Sequence, residues 1–121
     1  GEPLEKNLLP EAVLFLGLVP LAEYGTPSTA EVPESLVPHL ETSDAILLEN
    51  HGSITVGADL MTAYFRTETL EHYAKIYHLA KQIGTVQSIA ENKVGELIEL
   101  RKAMNLPGKA LIKTAKGKVQ L

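Results

Sequence analysis

A histidine followed by a glycine occupies positions 51 and 52, inside the stretch ENHGSIT at 49–55. This stretch joins two short runs, AILL at 45–48 and SITV at 53–56, which have the length and composition of strands. An imidazole at a strand end offers a neutral nitrogen to a metal ion, and a glycine leaves room for a ligand or a second backbone. His51 is therefore a candidate metal ligand, and the alternative is a histidine that only bonds the turn.

The elements that position His51 follow from apolar patterning and capping residues. AILL predicts a core strand, residues 50–52 a bend, and SITV a second strand. Asp59 is expected to cap a long helix that runs to about Ile83 and stops at Gly84. Apolar residues of this helix recur mostly at three- and four-residue steps, which predicts that one face packs on the sheet.

The upstream part of the chain carries a second helix signal. Ser28 followed by Glu31 fits a capping box, which predicts a helix from Thr29 to about Val37. The remaining predicted elements are a helix at about Glu11–Leu16, a buried strand near Leu18–Ala22, a turn at 24–27 and a final helix from about Ser88 to Met104. Residues 109–121, KALIKTAKGKVQL, are predicted to form a mobile tail.

Composition limits the classes of function. The 121 residues are 45% hydrophobic and 21% charged, which is typical of one globular domain. A net charge of -4 argues against a nucleic-acid partner, and the lack of cysteine excludes disulfides and thiolate metal sites. No apolar stretch reaches the roughly 20 residues of a membrane helix, so we expect a cytoplasmic protein without a membrane partner. Because the chain starts at Gly1, we expect a processed product or a fragment.

The succession VPLAEYGTPST, a short helix, and AILLENHGSITVGADLMTAYFRTETLEHYAKIYHLAKQIG resembles the C-terminal half of the class II aldolase/adducin family. The resemblance covers roughly residues 10–84. It implies an α/β fold, as part of a three-layer α/β/α domain with a mainly antiparallel central sheet. It also implies a homotetramer in which His51 is one of three histidine ligands to a catalytic zinc ion, Zn²⁺. Residues 1–121 would then be a single partial domain.

The same resemblance implies a function for the intact protein. It is that of a zinc-dependent aldolase, a lyase in which zinc polarises a carbonyl oxygen of a phosphorylated sugar. The alternatives are a sugar-phosphate 4-epimerase of the same family and a non-catalytic, adducin-like interaction module. The family's H-x-H zinc ligands, catalytic glutamate and phosphate-binding loops have no counterpart here. Because a catalytic zinc needs about three protein ligands, this chain alone is expected to be inactive.

Other residue types that can do chemistry receive structural interpretations. EAVLFLG at 11–17 contains no tyrosine where the resembled fuculose-phosphate aldolases use one as a proton donor, which leaves the sugar open. Tyr24 is predicted to make a structural hydroxyl bond. The helix histidines His72 and His78 are predicted to be solvated or partly packed. Core or subunit packing is predicted for the helix tyrosines Tyr64, Tyr73 and Tyr77. His39, beside a predicted helix, is not spaced as H-x-H with any other histidine.

Overall fold

A computed structural model describes all residues, 1–121, as four helices and five short strands. In chain order the elements are α1 (Pro10–Phe15), β1 (Leu21–Ala22), α2 (Glu31–Leu40), β2 (Ala45–Leu48), β3 (Gly52–Thr55), α3 (Leu60–Ile83), α4 (Glu91–Ala103), β4 (Leu111–Thr114) and β5 (Gly117–Gln120). The fold is therefore mixed α/β, as the sequence predicts. None of the four helices combines the length and apolar composition that crossing a bilayer requires.

The main sheet has three strands in the order β1-β2-β3. β2 and β3 are antiparallel, with Leu48 paired to Gly52 across the turn. β1 runs parallel to β2, because the connection through α2 is long enough to return the chain to the same end of the sheet. One of the two pairings is thus parallel, so these three strands do not confirm the predicted mainly antiparallel sheet.

Helices pack on both faces of this sheet. On one face, Ala22 and Ile46 form a buried cluster with Leu36 of α2. The opposite face packs on α1 and α3 through a larger cluster made of Leu4, Ala12, Leu16, Val19, Ala45, Leu70 and Tyr73. Side chains alternate between the two clusters along β2, which is why AILL is apolar throughout.

The long helix α3 begins and ends at the residues that the sequence predicts. The Asp59 carboxylate accepts a hydrogen bond from the Thr62 backbone N–H at 2.7 Å, and this bond lowers the pKa of Asp59. The helix ends at Gly84. Its position under β3 is fixed by Thr55, whose hydroxyl lies 2.9 Å from the Ala63 carbonyl and 2.7 Å from the Thr67 hydroxyl.

The start of α2 differs from the predicted capping box. Ser28 has φ 66° and makes no cap, and the helix begins at Glu31 rather than Thr29. The Thr29 hydroxyl instead accepts the Glu31 N–H at 3.2 Å. The Glu31 carboxylate accepts the Thr26 N–H at 2.8 Å, and this bond lowers the pKa of Glu31. Glu31 therefore bonds two threonines of the preceding turn, and the reciprocal pair of bonds of a capping box is not formed.

The C-terminal residues form a hairpin where the sequence predicts a mobile tail. β4 and β5 pair in antiparallel fashion, and the Leu18 N–H donates to the Leu111 carbonyl at 2.7 Å. Ile112 is fully buried. A further core cluster joins this hairpin to α1 and α4 and consists of Val13, Val94, Ile98, Ala110 and Ile112. The buried isoleucine and the cross-strand bonds explain why 109–121 are ordered.

A buried ion pair ties the loop after α4 to the sheet. Arg66 of α3 and Asp44, just before β2, lie 3.0 Å apart, and both side chains are almost fully buried. The Asp44 carboxylate also accepts the Lys109 N–H at 2.8 Å. Arg101 supplies a second guanidinium to this region. It donates to the Gly108 carbonyl at 3.0 Å.

The Arg101 guanidinium also donates to the Leu14 carbonyl at the end of α1. Burial lowers the pKa of Arg101, and the neighbouring positive charge of Arg66 lowers it further. Asp44 acts in the opposite direction. Of these two buried cations only Arg66 pairs with a carboxylate, and backbone carbonyls complete the hydrogen bonding of both.

Candidate functional site

The turn between β2 and β3 places His51 at one edge of the sheet. The His51 N–H donates to the Leu48 carbonyl at 3.2 Å, and Asn50 adopts φ 53°, a conformation that asparagine tolerates better than most residues. His51 is exposed, and its ring makes no hydrogen bond with any other side chain. A backbone bond closes the turn without using the ring, so the imidazole is available to a ligand.

The parallel neighbour β1 brings a second loop to the same edge. Carboxyl ends of parallel strands meet on one side of a sheet, so Ala22 and Leu48 both lead toward this edge. The Glu49 N–H donates to the Ala22 carbonyl at 3.1 Å. The Glu49 carboxylate in turn accepts the Tyr24 N–H at 3.2 Å. Sequence reasoning missed Glu49 as the link between the two loops, although its position directly after AILL was a usable signal.

Gly52 leaves open space beside His51. A side chain at this position would meet no atom within 4 Å, and the backbone has φ 156°. This agrees with the expectation that the glycine keeps bulk away from an approaching ligand or backbone. The geometry of the turn therefore fits a histidine that binds something outside the chain.

Tyr24 does not behave as the sequence predicts. Its side chain is 53% exposed, and its contact with the sheet edge is the backbone bond to Glu49 rather than a hydroxyl bond. Behind it lies a polar groove of about 500 Å³ between β1 and α2. The groove is lined by Glu23, Tyr24, Glu31, Glu34, Ser35, Pro38 and His39.

The remaining histidines do not converge on His51. His72 and His78 are exposed on α3, as predicted, and the His78 ring lies 2.6 Å from the Gln82 amide. His39 is half-buried in the last turn of α2. No group of three histidine, aspartate, glutamate or cysteine side chains is placed to hold a metal. These residues alone therefore do not fit a catalytic zinc site, which takes about three protein ligands.

The tyrosines of α3 have structural surroundings. Tyr73 is fully buried, and its hydroxyl donates to the Lys6 carbonyl at 2.5 Å. Its ring packs edge-on against Tyr77 with centroids 6.3 Å apart, as expected for core packing. Tyr64 is half-exposed, and its hydroxyl donates to Glu68 at 2.7 Å, which raises the pKa of Tyr64.

Comparison with known proteins identifies relatives over much of the chain. A family model described as the class II aldolase and adducin N-terminal domain matches residues 1–78. The chain is 34% identical over 77 residues to the L-fuculose phosphate aldolase of Methanococcus maripaludis strain C5, a match covering 64% of this chain and 41% of that protein. It is 30% identical over 105 residues to the rhamnulose-1-phosphate aldolase of Bacteroides thetaiotaomicron, covering 84% of this chain and 37% of the relative.

Other relatives extend the comparison. A 3-oxo-tetronate 4-phosphate decarboxylase of Haemophilus influenzae is 35% identical over 68 residues, covering 56% of this chain and 32% of that protein. A solved structure of an L-fuculose 1-phosphate aldolase superposes with a TM-score of 0.73 at 30% identity, covering 84% of this chain and 47% of that chain. The chain spans less than half the length of these relatives. On the family match and these similarities, the chain belongs to the class II aldolase and adducin family.

Proposed function

We propose that these residues are the C-terminal portion of a zinc-dependent aldolase that cleaves a phosphorylated sugar, and that His51 supplies one of its zinc ligands. The observation that carries the proposal is the exposed His51 ring, which lies in a turn closed by a backbone bond and beside the open space at Gly52. The turn also lies within the residues matched by the family model. The other zinc ligands, and the strands that complete a three-layer α/β/α domain, would come from polypeptide outside these residues.

The names of the relatives support a lyase that acts on a phosphorylated substrate. Two are aldolases, for fuculose phosphate and for rhamnulose 1-phosphate, and one is a decarboxylase for a 3-oxo-tetronate 4-phosphate. Both reaction types break a carbon–carbon bond, and all three substrates are phosphorylated carbohydrates or sugar acids. These names favour a lyase over the 4-epimerase and over a non-catalytic adducin-like module.

The proposal is tested first on the isolated chain. Isothermal titration with zinc should give no micromolar one-to-one binding, because one imidazole of the site is present and about three ligands are needed. The chain should likewise not cleave L-fuculose 1-phosphate. Micromolar zinc affinity that His51→Ala abolishes would contradict the assignment of the remaining ligands to other polypeptide.

The ligand role of His51 is tested in a longer protein that joins these residues to the upstream part of the domain. His51→Ala should remove most of the bound zinc, measured by elemental analysis, together with the aldolase activity. The matched control is His72→Ala, which removes an exposed imidazole from α3 and should leave the zinc content unchanged. Full zinc content after His51→Ala would show that the ligand assignment is wrong.

A further inference from the structure

The three residues Glu49, Asn50 and His51 lie beyond the last paired residues of β2 and β3, so the strand ladder does not set their direction. The bond from the His51 N–H to the Leu48 carbonyl closes the turn within itself. Two further bonds join the turn to the end of β1, and Glu49 makes both of them. Its N–H donates to the last carbonyl of β1 at 3.1 Å, and its carboxylate accepts the Tyr24 N–H at 3.2 Å.

The segment after β1 that donates to Glu49 is itself held in place by α2. Gly25 lies against the first turn of that helix, where a Cβ would clash with backbone atoms of Val32. The Thr26 N–H donates to the Glu31 carboxylate at 2.8 Å. Because these backbone contacts hold residues 24–26 on α2, the segment is a fixed support for whatever is bonded to it.

Two glutamates from different elements therefore hold this one segment. Glu31 of α2 accepts the N–H of Thr26, and Glu49 accepts the N–H of Tyr24, two residues earlier. Only the Glu49 bond connects the segment to the turn, and no other side chain of residues 49–51 forms a hydrogen bond within the chain. Glu49 is half-buried, which reduces the competition of water for its carboxylate.

We propose that Glu49 is a positioning residue that acts through His51. By bonding Tyr24, its carboxylate couples the direction of the turn to the segment that α2 holds, so the imidazole meets its ligand from a preset direction. The two loops follow the carboxyl ends of parallel strands, which is where open α/β sheets bind ligands. Preset geometry raises affinity because less conformational freedom is lost on binding.

The inference rests on the proposed function for the ligand that His51 binds, whereas the coupling rests on hydrogen bonds within this chain. It requires a hydrogen-bond acceptor at position 49 rather than a negative charge. Glutamine offers the same carbonyl oxygen to the Tyr24 N–H, so Glu49→Gln should keep the coupling and Glu49→Ala should abolish it. Glu31→Ala is the matched control, because it removes the same kind of bond from the same segment without touching the turn.

Nuclear magnetic resonance on the 121-residue chain tests the coupling without any ligand. Hydrogen exchange of the Tyr24 N–H should be about fivefold faster in Glu49→Ala, the factor that one net hydrogen bond is worth, and unchanged in Glu49→Gln. The backbone order parameter of His51 should fall from about 0.85 toward roughly 0.6 in Glu49→Ala. Glu31→Ala should speed exchange at Thr26 and leave the His51 order parameter unchanged. Equal order parameters at His51 in the wild type and Glu49→Ala would overturn the proposal.

The consequence for the ligand is measured in the longer protein as the zinc dissociation constant, by competition with a chelator of known affinity. Glu49→Ala should raise this constant about fivefold, while Glu49→Gln and Glu31→Ala should leave it within about twofold. An unchanged constant in Glu49→Ala would contradict the positioning role. So would equal weakening by Glu49→Gln and Glu49→Ala, because the charge would then act directly. If His51→Ala keeps its zinc, the proposed function fails, and the order parameters alone decide whether Glu49 orients the turn.

Discussion

Two glycine-containing turns of this chain look alike in sequence and have opposite surroundings. The turn at 49–52 has Asn50 at φ 53° and then Gly52, and the loop at 105–109 has Asn105 at φ 51° and then Gly108. A side chain at Gly52 would meet nothing within 4 Å. At Gly108 a Cβ would clash with a guanidinium nitrogen of Arg66 and with the Asp44 carboxylate.

The difference comes from residues far away in the sequence. The loop at 105–109 is held by buried charges on α3, α4 and the start of β2, so its conformation is part of the core. The turn at 49–52 is closed by a backbone bond and linked to the segment after β1 through Glu49, and its histidine remains exposed. A turn whose imidazole makes no side-chain bond can offer that ring to a ligand, whereas a turn locked by an ion pair contributes stability.

Gly108→Ala should have the largest effect on stability. The residue has φ 95°, and the added methyl group would clash with both Arg66 and Asp44 and force this buried pair apart. Breaking such a pair costs about 3–5 kcal/mol of the free energy of unfolding, measured in urea. The control is Gly95→Ala in α4, where nothing lies within 4 Å and alanine should stabilise the helix by about 0.5–1 kcal/mol. If Gly108→Ala and Gly95→Ala changed the free energy of unfolding equally, the loop at 105–109 would not be locked by the buried pair.

Asp44→Asn should have the next largest effect. Asparagine keeps an oxygen for the Lys109 N–H but leaves the buried Arg66 guanidinium without its carboxylate partner. We expect a loss of about 2–3 kcal/mol in urea unfolding. Asp59→Asn is the matched control, because asparagine caps a helix about as well as aspartate. A stable Asp44→Asn variant would show that backbone carbonyls alone satisfy Arg66.

The buried side chain of Tyr73 connects α3 to the N-terminal segment through the Lys6 carbonyl. Burial raises the pKa of Tyr73 to about 12, while its ordinary value is near 10. The neutral phenol is therefore the form that the folded state prefers. The stability it contributes is complete below pH 10 and is lost as the pH rises from 10 toward 12.

Tyr73→Phe should cost about 1 kcal/mol at pH 7, because the hydrogen bond to the Lys6 carbonyl is lost. It should also flatten the loss of stability between pH 10 and 12, measured as the urea midpoint at each pH. Tyr24→Phe, at an exposed residue, should keep both the neutral stability and the alkaline loss. An alkaline profile identical in wild type and Tyr73→Phe would refute the assignment.

His51→Ala should have the smallest effect on the free energy of unfolding, within about 0.5 kcal/mol. The ring is exposed, and the bond that closes the turn comes from the His51 backbone, which alanine retains. Urea unfolding of this variant, compared with Gly108→Ala, measures the contrast between the two turns directly. A loss above about 1.5 kcal/mol would mean that the imidazole is structural after all.

Local signals in the sequence predicted the elements around the site. Asp59 and Gly84 define α3 because a cap and a terminating glycine act on neighbouring residues. AILL and the following SITV form paired strands because their apolar runs are short and meet at a bend. The position of His51 in the turn followed from these two strand predictions. The family resemblance is confirmed by the match to residues 1–78.

Features that depend on distant contacts were not predictable in this way. Every residue of β5 is exposed, so the apolar signal of the C-terminal hairpin is weak. Ile112 of β4 is buried only because α1 and α4 pack against it. The parallel pairing of β1 depends on how α2 returns the chain. The Asp44–Arg66 pair joins residues that no local pattern connects.

The packing of Ile112 against Val13 has a consequence for the order of folding. Ile112 is fully buried in a cluster with Val13 of α1, from the opposite end of the sequence. During synthesis α1 leaves the ribosome long before its partner exists, and contacts of such high sequence separation form slowly. A nascent chain stalled near residue 105 would therefore carry α1 with an uncovered apolar face, a target for chaperones and proteases.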